Sequence, residues 1–303
     1  MAAPAVSGKV VIVKGAEMPS KPLQQNIRSD HPSGGVPRVY AVLGNPVAHS
    51  LSPVMHNRAF CETGYRGVYV ALKVTDIAGA IAGVRSLGFS GASVTVPHKV
   101  AVMDHLDEIE PTARAMGAVN TVVNQNRRLV GTNTDAEGAV AALKEKTRLK
   151  GRVLAVIGAG GAARAVAYGA VQEGAEIVIV NRSEARGRSL SRFIGCPFVP
   201  LAEFTGAGVD ILVNTTPVGM SPRIDQLPVD AGILKKEMVV MDVVYNPMKT
   251  RLLKEAEKRG CKTVDGVAMF VYQGARQFTL WTGVPAPVEV MREVVSDALA
   301  GFR

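Results

Sequence analysis

A glycine-rich segment in the second half of the chain has the pattern of a dinucleotide-binding loop. An apolar run at 153–157 leads directly into Gly158, Ala159, Gly160, Gly161, Ala162 and Ala163. This order fits G-x-G-x-x-A, in which Gly158 permits a tight turn, Gly160 lets the backbone approach a pyrophosphate and Ala163 allows close helix packing. Free N–H groups at the start of the following helix would bind the phosphate charge. The alternative is a glycine-rich turn without a ligand.

The end of the next apolar run indicates which dinucleotide is bound. NAD enzymes place an Asp or Glu about 20 residues further on, where it binds the ribose hydroxyls. This chain has Asn181, Arg182 and Ser183 there and offers no carboxylate. Arg182, with Arg186 one turn later, would pair with a 2′-phosphate through charge-assisted hydrogen bonds. We therefore expect NADP, with a solvated surface charge as the alternative role for Arg186.

Two hydroxyl side chains lie at the expected start of a helix in the first half. Ser52 directly precedes Pro53, so we expect Ser52 to be the N-cap and the proline to take the first helical position. A helix start also attracts anions, and the hydroxyls of Ser50 and Ser52 could hold a substrate carboxylate there. The capping role and the binding role can coexist.

Lys99 and Asp135 are charged residues that local structure does not explain. We expect Lys99 in the first turn of a short helix, where the helix dipole disfavours a cation by about 0.3–1 kcal/mol. Thr134 and Glu137 have capping-box spacing and predict a helix that begins at Ala136. Neither pattern gives a structural reason for Lys99 or Asp135, so both are candidates for function.

Two halves of alternating β-branched runs and helical patterns position these residues. This alternation is typical of parallel α/β sheets, and 303 residues suit two domains. The first half is predicted to hold strands 39–43, 67–72 and 92–96 and helices 53–63 and 77–87. The second is predicted to hold helices 136–146 and 164–172 and strands 153–157, 177–180, 211–213 and 238–243. A closing helix with Val288, Met291, Val295 and Leu299 on one face should pack back on the first domain.

The composition argues against several classes of function. The excess of 35 Lys and Arg over 26 Asp and Glu gives a net charge of +9, which would suit nucleic acid only if the basic residues formed a stripe. They are scattered, and 5% aromatic residues leave few platforms for base stacking. An anionic small substrate and a phosphorylated cofactor account for the charge more simply. No apolar run approaches the roughly 18 residues of a membrane helix, so we expect a soluble protein without a membrane partner.

Cysteine and histidine spacing points away from metal and disulfide chemistry. The three cysteines are Cys61, Cys196 and Cys261. They are odd in number, far apart and in no CxxC pattern, which argues against a disulfide framework or zinc knuckle and fits a reducing cytoplasm. His49, His56 and His98 belong to no H-E-x-x-H or Cys/His pattern, so we expect packing or loop roles for them and no metal.

The N-terminal residues 1–36 are predicted to be a leader or linker. Residues 19–37 are dense in Pro, Ser, Gly, Gln and Asn and cannot bury a core. The only apolar run before them, 10–13, is too short for a secretory signal. We expect the folded body to start near Arg38, and the leader could equally be a junction from a longer fused chain.

Eight motifs between Tyr40 and Gly283 resemble those of the shikimate dehydrogenase family. They are GNPVAHSLSP (44–53), VTVPHK (94–99), GAVNT (117–121), NTD (133–135), GAGGAARA (158–165), NRS (181–183), NTTPVGM (214–220) and DGVAMFVYQGA (265–275). Ser93 stands where many relatives have Asn before VTVP, and we do not expect this difference to change the reaction.

The resemblance implies both a fold and a reaction. An N-terminal α/β substrate-binding domain would comprise residues 37–135 and 268–303, with the closing helix returning to it. A Rossmann-type NADP-binding domain would comprise residues 136–267. The reaction would be the NADPH-dependent, reversible reduction of 3-dehydroshikimate to shikimate, in the route to chorismate and aromatic amino acids.

The resemblance also implies residue roles. Hydride delivery to a ketone builds negative charge on its oxygen, so the site needs a well-held proton donor. Lys99 would be the acid, and Asp135 would hold its ammonium group and bind a substrate hydroxyl. The carboxylate ligands would be Ser50, Ser52 and Tyr245, and the ligands of the ring hydroxyls Thr95, Asn120 and Gln273. The cofactor ligands would be Gly158, Gly160, Gly161, Ala162, Ala163, Asn181, Arg182, Ser183, Arg186, Thr215 and Gly266.

Two other functions remain open from the residues. A quinate dehydrogenase, or one of dual specificity, would use the same fold and the same catalytic pair, although Ser50 and Thr95 favour shikimate. A non-catalytic NADP-binding regulatory module is a rival of another class, and the presence of both Lys99 and Asp135 counts against it. We expect a monomer or homodimer.

Overall fold

The chain folds into two α/β units, each built on a six-stranded sheet. The computed structural model describes residues 36–301. Apart from Val36, the predicted leader lies outside the described residues. Among residues 36–301, none of the helices combines the length and apolar character that a membrane crossing requires. The expected fold class, two α/β domains of which one is Rossmann-type, is confirmed.

The first unit has a mixed sheet. Its strands are β1 (Arg38–Gly44), β2 (Gly67–Lys73), β3 (Gly91–Val94), β4 (Glu108–Ile109), β5 (Thr121–Gln125) and β6 (Arg128–Thr132), and its helices are α1 (Ser52–Glu62), α2 (Ile77–Ser86) and α3 (Pro111–Met116). The strand order is β2-β1-β3-β5-β6-β4. The expectation of parallel strands is wrong here for β5, which is antiparallel to β3 and β6. Asn126 and Arg127 both have positive φ and form the two-residue turn of the β5–β6 hairpin.

The second unit has the strand order of a dinucleotide-binding domain. After α4 (Asp135–Lys144) come β7 (Val153–Ile157), α5 (Gly161–Gln172), β8 (Glu176–Asn181), α6 (Glu184–Ile194), β9 (Phe198–Pro200), β10 (Ile211–Asn214), β11 (Val239–Asp242), α7 (Arg251–Lys258) and β12 (Lys262–Val264). The order β12-β11-β10-β7-β8-β9 is parallel throughout. The order reverses between β7 and β10, and ligands bind at such a switch point, beyond the carboxyl ends of the strands.

Two C-terminal helices, α8 (Gly266–Thr282) and α9 (Val288–Gly301), tie the units together. The start of α8 buries Ala268 and Met269 in the core of the second unit. Its far end buries Phe278 in the core of the first unit, where α9 adds Met291 and Val295. The expectation that the closing helix packs back on the first unit is therefore confirmed.

Most predicted elements lie within two residues of the observed ones. Strand 153–157 is matched at both ends by β7, and helix 77–87 by α2 to within one residue. Strand 92–96 is too long, because β3 ends at Val94 and turns follow as far as Val100. The predicted strand 238–243 is one residue too long at each end, since β11 covers Val239–Asp242.

Candidate active site

Lys99 and Asp135 form an ion pair at one edge of the first sheet. The Nζ of Lys99 donates to Oδ2 of Asp135, and the two side chains are only 20% and 9% exposed. Lys99 lies in a turn after β3, ahead of a 3-10 helix at Ala101–His105. The expectation that it occupies the first turn of a helix is wrong, because Lys99 precedes the 3-10 helix by two residues. Partial burial strengthens the attraction between the two charges, because little water screens them.

Asn120 holds the other oxygen of the Asp135 carboxylate. Its Nδ2 donates to Oδ1 of Asp135 at 2.8 Å and to Oγ1 of Thr134 at 3.1 Å. Its Oδ1 accepts from the backbone N of Thr134 at 2.8 Å and from Oγ1 of Thr121 at 2.7 Å. The amide is thus saturated by protein partners, so a substrate hydroxyl would have to share or displace one of them.

The predicted capping box at Thr134 and Glu137 is wrong. Helix α4 begins at Asp135, one residue early, and the Thr134 side chain makes no capping hydrogen bond. The Thr134 hydroxyl instead bonds Asn120, and Glu137 pairs with Nε of Arg276 at 2.9 Å. A tertiary contact has therefore replaced the local one, because the buried Asn120 amide needs a partner.

The predicted N-cap at Ser52 is also wrong. Leu51 is the N-cap of α1 and makes no side-chain capping bond, while Ser52 is the first helical residue. The Oγ of Ser50 accepts from the backbone N of Ser52 at 3.3 Å. This bond places the Ser50 hydroxyl at the helix start, where an anion is favoured.

Thr95 lies at the same edge of the sheet as the Ser50 segment. The backbone N of Thr95 donates to the carbonyl oxygen of Leu43 at 2.9 Å, so the ends of β1 and β3 are neighbours. The Thr95 side chain lies directly over Gly44, where any Cβ would collide with it. The carboxyl ends of these strands therefore bring the expected carboxylate and hydroxyl ligands to the edge that carries Lys99.

Tyr245 and Gln273 are half-buried at the junction of the units. Burial raises the pKa of Tyr245, whose ring packs 4.9 Å from that of Phe270. The Nε2 of Gln273 donates to the backbone oxygen of Phe270 at 2.8 Å. A Cβ at Gly138 of α4 would lie 2.8 Å from the Cβ of Gln273, so this glutamine lies against the helix that begins at Asp135.

The glycine-rich loop has the geometry that a nucleotide needs. Gly158 has a φ of +125°, and a Cβ there would lie 2.5 Å from Oγ1 of Thr215, so only glycine fits. The Thr215 hydroxyl donates to the backbone oxygen of Ile157 at 2.7 Å and closes the loop. Gly160 is the N-cap of α5 and has no side chain to occupy the free N–H groups of Gly161 and its neighbours.

The nucleotide loop lies beside the catalytic lysine. A Cβ on Gly161 would be 3.8 Å from Cδ of Lys99. In the next turn of α5, Nη1 of Arg164 donates to the backbone oxygen of Met116 in the first unit at 3.2 Å. The two units therefore meet where the helix start that would bind phosphate faces the Lys99–Asp135 pair.

The residues expected at a 2′-phosphate lie at the end of β8. Asn181 Nδ2 donates to the backbone oxygen of Ser183 at 2.8 Å, and Ser183 is the N-cap of α6 without a side-chain capping bond. Arg182 and Arg186 are exposed, and within residues 36–301 their side chains make no hydrogen bond or ion pair. Arg188, by contrast, is paired with Glu184 at 3.0 Å.

A buried polar cluster that the sequence analysis missed joins the loops after β10 and β11. Asp242 accepts from Nδ2 of Asn214 at 2.9 Å, from the backbone N of Val244 at 3.0 Å and from Oγ1 of Thr250 at 2.7 Å. Burial raises the pKa of Asp242 to about 6, and the three donors offset this in part. These loops carry Thr215 and Tyr245, so Asp242 fixes both relative to the sheet.

Gly266, a predicted cofactor ligand, begins α8 against the same loops. A Cβ on Gly266 would lie 2.6 Å from the backbone carbonyl of Val244. The glycine is thus required for α8 to start here, whether or not its backbone contacts a ligand. Its place beside the β11 loop keeps it next to the residues around Thr215.

Several buried polar residues around the ion pair were not predicted from the sequence to belong to the site. They are Thr121, Asn133, Thr134 and Gln277. Asn133 accepts from the backbone N of Asp135 at 3.0 Å, and Gln277 donates to Thr121 Oγ1 at 2.9 Å. For Thr121 and Gln277 the available signal was polarity within an otherwise apolar strand or helix, because buried polar groups need partners. Asn133 and Thr134 lie in the loop between β6 and α4 and gave no such signal.

Comparisons with known proteins agree on one family. The profile of the shikimate dehydrogenase substrate binding domain matches residues 42–122, and that of the shikimate 5'-dehydrogenase C-terminal domain matches residues 266–295. A shikimate dehydrogenase (NADP(+)) of Pyrococcus abyssi is 44% identical over 264 residues, which cover 86% of this chain and 98% of the relative.

Solved structures of similar fold include enzymes for two related acids. Shikimate 5-dehydrogenase of Thermus thermophilus, in complex with NADP(H) and shikimate, superposes with a TM-score of 0.82 at 40% identity, over 86% of this chain and 99% of that one. Quinate dehydrogenase of Corynebacterium glutamicum, in complex with NAD, superposes with a TM-score of 0.80 at 31% identity, over 85% and 98%.

Proposed function

The chain belongs to the shikimate dehydrogenase family, and from this premise we propose that it catalyses the NADPH-dependent, reversible reduction of 3-dehydroshikimate to shikimate. One observation carries the proposal. The glycine loop with a dinucleotide-binding geometry lies beside Lys99, since a Cβ placed on Gly161 would be 3.8 Å from Cδ of that lysine, and the Lys99 ammonium is bonded to Asp135. A hydride source and a proton donor would therefore meet in one place.

The proton chemistry follows from the lysine and its partner. NADPH, when bound, supplies the hydride to the ketone carbon. Lys99 donates a proton from Nζ to the ketone oxygen as negative charge develops there, and solvent returns a proton to the amine. Asp135 stabilises the ammonium and holds it in place, while Asn120 fixes the carboxylate from its other side. In the reverse direction Lys99 accepts the proton of the alcohol.

The substrate groups would bind around this pair. We assign the carboxylate to Ser50, Ser52 and Tyr245 and the ring hydroxyls to Thr95, Asn120 and Gln273. The Ser50–Ser52 hydrogen bond at a helix start supports the first assignment. The substrate domain would comprise 37–135 and 268–303, and the NADP domain 136–267, a division that the two separate sheets support.

The cofactor would lie along the switch point of the second sheet. Gly158, Gly160, Gly161, Ala162 and Ala163 would hold the pyrophosphate. Asn181, Arg182, Ser183 and Arg186 would bind the adenosine 2′-phosphate, and Thr215 and Gly266 the nicotinamide end. The guanidinium groups of Arg182 and Arg186 are exposed and have no partner among residues 36–301, and this supports NADP over NAD because a 2′-phosphate would pair with them.

Quinate is the second candidate substrate, because a quinate dehydrogenase has a similar fold. The deciding experiment follows NADPH absorbance with the purified chain and 3-dehydroshikimate, then runs shikimate and quinate in reverse with NADP and with NAD. Turnover of shikimate with NADP alone is the expected result. Quinate turnover would indicate dual specificity, whereas NADP binding without turnover of either acid would indicate a regulatory module.

We further propose that the protein works in the cytoplasm as a monomer or homodimer, without nucleic-acid partners. The free thiols of Cys61, Cys196 and Cys261 support a reducing compartment. Burial raises the pKa of Cys196 to about 12 and also raises that of Cys261, so both remain protonated thiols. Sedimentation of the purified chain with and without NADP distinguishes monomer from dimer.

A further inference from the structure

Gln277 of α8 lies at the centre of a buried hydrogen-bond chain that ends at the Lys99–Asp135 pair. We propose that Gln277 is a positioning residue that orients the Asn120 amide and, through it, the Asp135 carboxylate for proton transfer by Lys99. This inference rests on the proposed roles of Lys99 and Asp135, and it deepens that proposal by adding the residue that aligns them.

The first half of the chain determines which way the Gln277 amide faces. Tyr69 donates its hydroxyl to Ser93 Oγ at 2.6 Å, and Ser93 donates to Oε1 of Gln277 at 2.9 Å. The Nε2 of Gln277 faces the backbone oxygen of Asn120 at 3.4 Å and Oγ1 of Thr121 at 2.9 Å. A flipped amide would set its oxygen against that carbonyl, and two acceptors would then face each other.

The second half passes this orientation to the carboxylate. Thr121 accepts from Gln277 and therefore directs its own hydrogen to Oδ1 of Asn120 at 2.7 Å. Oδ1 of Asn120 also accepts from the backbone N of Thr134 at 2.8 Å, and with both bonds in place its Nδ2 points to Oδ1 of Asp135, at 2.8 Å. Asp135 is then held with Oδ2 toward Lys99. Through Thr121, the Gln277 amide therefore reinforces the orientation of Asn120 that the Thr134 N–H also favours.

Burial strengthens the hydrogen bonds that link Gln277 to Asn120. Gln277, Thr121 and Asn120 are at most 2% exposed, so no solvent competes for their hydrogen bonds. Two titratable groups lie near the Gln277 end: burial lowers the pKa of His56 to about 3 and raises the pKa of Tyr69. Both stay neutral at the pH of the reaction. Asp135 therefore carries the first charge of the chain.

The test replaces Gln277 with Met, which has a similar length and no amide. We expect kcat to fall about 10- to 100-fold, because the dyad loses its alignment, with the KM for NADPH within about twofold of the wild type.

A second variant keeps the test independent of folding. Gln277→Glu has the same shape, but its buried carboxylate can donate to Thr121 only when it is protonated. The ratio of its kcat to that of the wild type should therefore rise as the pH is lowered. A role in stability alone predicts a ratio that does not change with pH.

The matched control is Trp281→Phe, one turn further along α8. Trp281 Nε1 donates to the backbone oxygen of Val122 at 3.0 Å and is not part of the chain. We expect it to lower the unfolding temperature and leave kcat and the pH profile unchanged. The proposal is overturned if Gln277→Met keeps kcat within about twofold of the wild type, or if both variants lose activity only in proportion to unfolded protein.

Activity of the Lys99→Ala variant distinguishes a failure of the proposed mechanism from a failure of the proposed role of Gln277. If that variant keeps its activity, the proposed mechanism fails and the Gln277 inference fails with it. If Lys99→Ala is inactive while Gln277→Met is fully active, only the Gln277 inference fails.

Discussion

Lys99 can act as a proton donor only while its ammonium is held beside the substrate and stays charged. Asp135 provides the countercharge, and Asn120 keeps that carboxylate from rotating. Because both side chains of the pair are largely removed from water, the loss of either one would leave the other poorly compensated. Single-residue variants therefore test the role of each side chain.

We expect Lys99→Ala to lower kcat by about 10²- to 10⁴-fold, the usual contribution of a general acid. Binding of NADP, followed by fluorescence titration, should change little because the glycine loop is intact. The matched control is Lys73→Ala, an exposed lysine on β2, which should behave like the wild type. An unchanged kcat with a raised KM would instead assign Lys99 to substrate binding.

Arg182→Ala should reduce the preference for NADP over NAD. Loss of a charge-assisted bond to the 2′-phosphate is expected to raise the KM for NADP about 10- to 100-fold and to leave the KM for NAD unchanged. Arg192→Ala, which removes an exposed guanidinium from α6, is the control. If the ratio of the two KM values stays at the wild-type value, Arg182 does not select the cofactor.

At the scale of elements, α4 and α8 cross so closely that side chains are excluded from the contact. A Cβ on Gly138 would lie 2.8 Å from the backbone N of Gln273 and 3.0 Å from the backbone oxygen of Met269. Backbone atoms cannot rotate out of the way, so the helices would have to separate. Asp135 lies one turn before Gly138 on the same helix, and its position depends on this crossing.

Gly138→Ala should therefore lower both stability and kcat, although alanine is the better helix former. We expect a loss of about 1–3 kcal/mol in the free energy of unfolding, as for other overpacked sites, measured by urea denaturation. Gly83→Ala in α2 is the control, because a Cβ there meets nothing within 4 Å, and it should stabilise by about 0.4–1 kcal/mol. Equal effects of the two variants would contradict the close crossing.

At the scale of the whole molecule, two buried groups make stability depend on pH in opposite directions. His56 stacks on Tyr69 at 4.5 Å, and neither of its ring nitrogens makes a hydrogen bond of normal geometry within the described residues. Burial lowers its pKa to about 3, a fall that the nearby Gln277 amide offsets only in part. The stability gained by burying the neutral His56 ring is complete above pH 6.5, the ordinary pKa of histidine, and is lost as the pH falls toward 3.

Asp242 acts in the reverse sense, since its pKa is raised to about 6 from 3.8. The stability gained by burying the protonated Asp242 carboxyl is complete below pH 3.8 and is lost as the pH rises through about 6. Relative to Asp242→Asn, the wild type should lose on the order of 3 kcal/mol of unfolding free energy across that window. Urea denaturation from pH 4 to pH 7 measures the difference. Relative to His56→Phe, the wild type should instead gain unfolding free energy as the pH rises. Parallel profiles for wild type and Asp242→Asn would refute the assignment.

Local patterns in the sequence were sufficient for much of the fold. Strand β7 and helix α2 were placed within one residue, because a run of β-branched residues or a helical period is a property of neighbouring residues. The antiparallel β5–β6 hairpin was not identified, since its turn at Asn126 and Arg127 lacks the usual glycine. Pairing between strands is a long-range choice that local propensity does not specify.

In the candidate site, too, features that belong to local motifs were predicted and features that depend on long-range contacts were not. Short motifs in the sequence were enough to identify the glycine loop, the lack of a carboxylate at the end of β8, and Lys99 and Asp135 as candidate residues. The pairing of Lys99 with Asp135 was implied by the family resemblance. The fold was needed to show that Leu51 rather than Ser52 is the N-cap of α1 and that the Thr134 side chain makes no capping hydrogen bond. It was also needed to show that Gln277, 157 residues from Asn120, donates to the Asn120 backbone. The physical reason is that a buried polar group must find its partners wherever the fold brings them, and those partners have no fixed spacing along the chain.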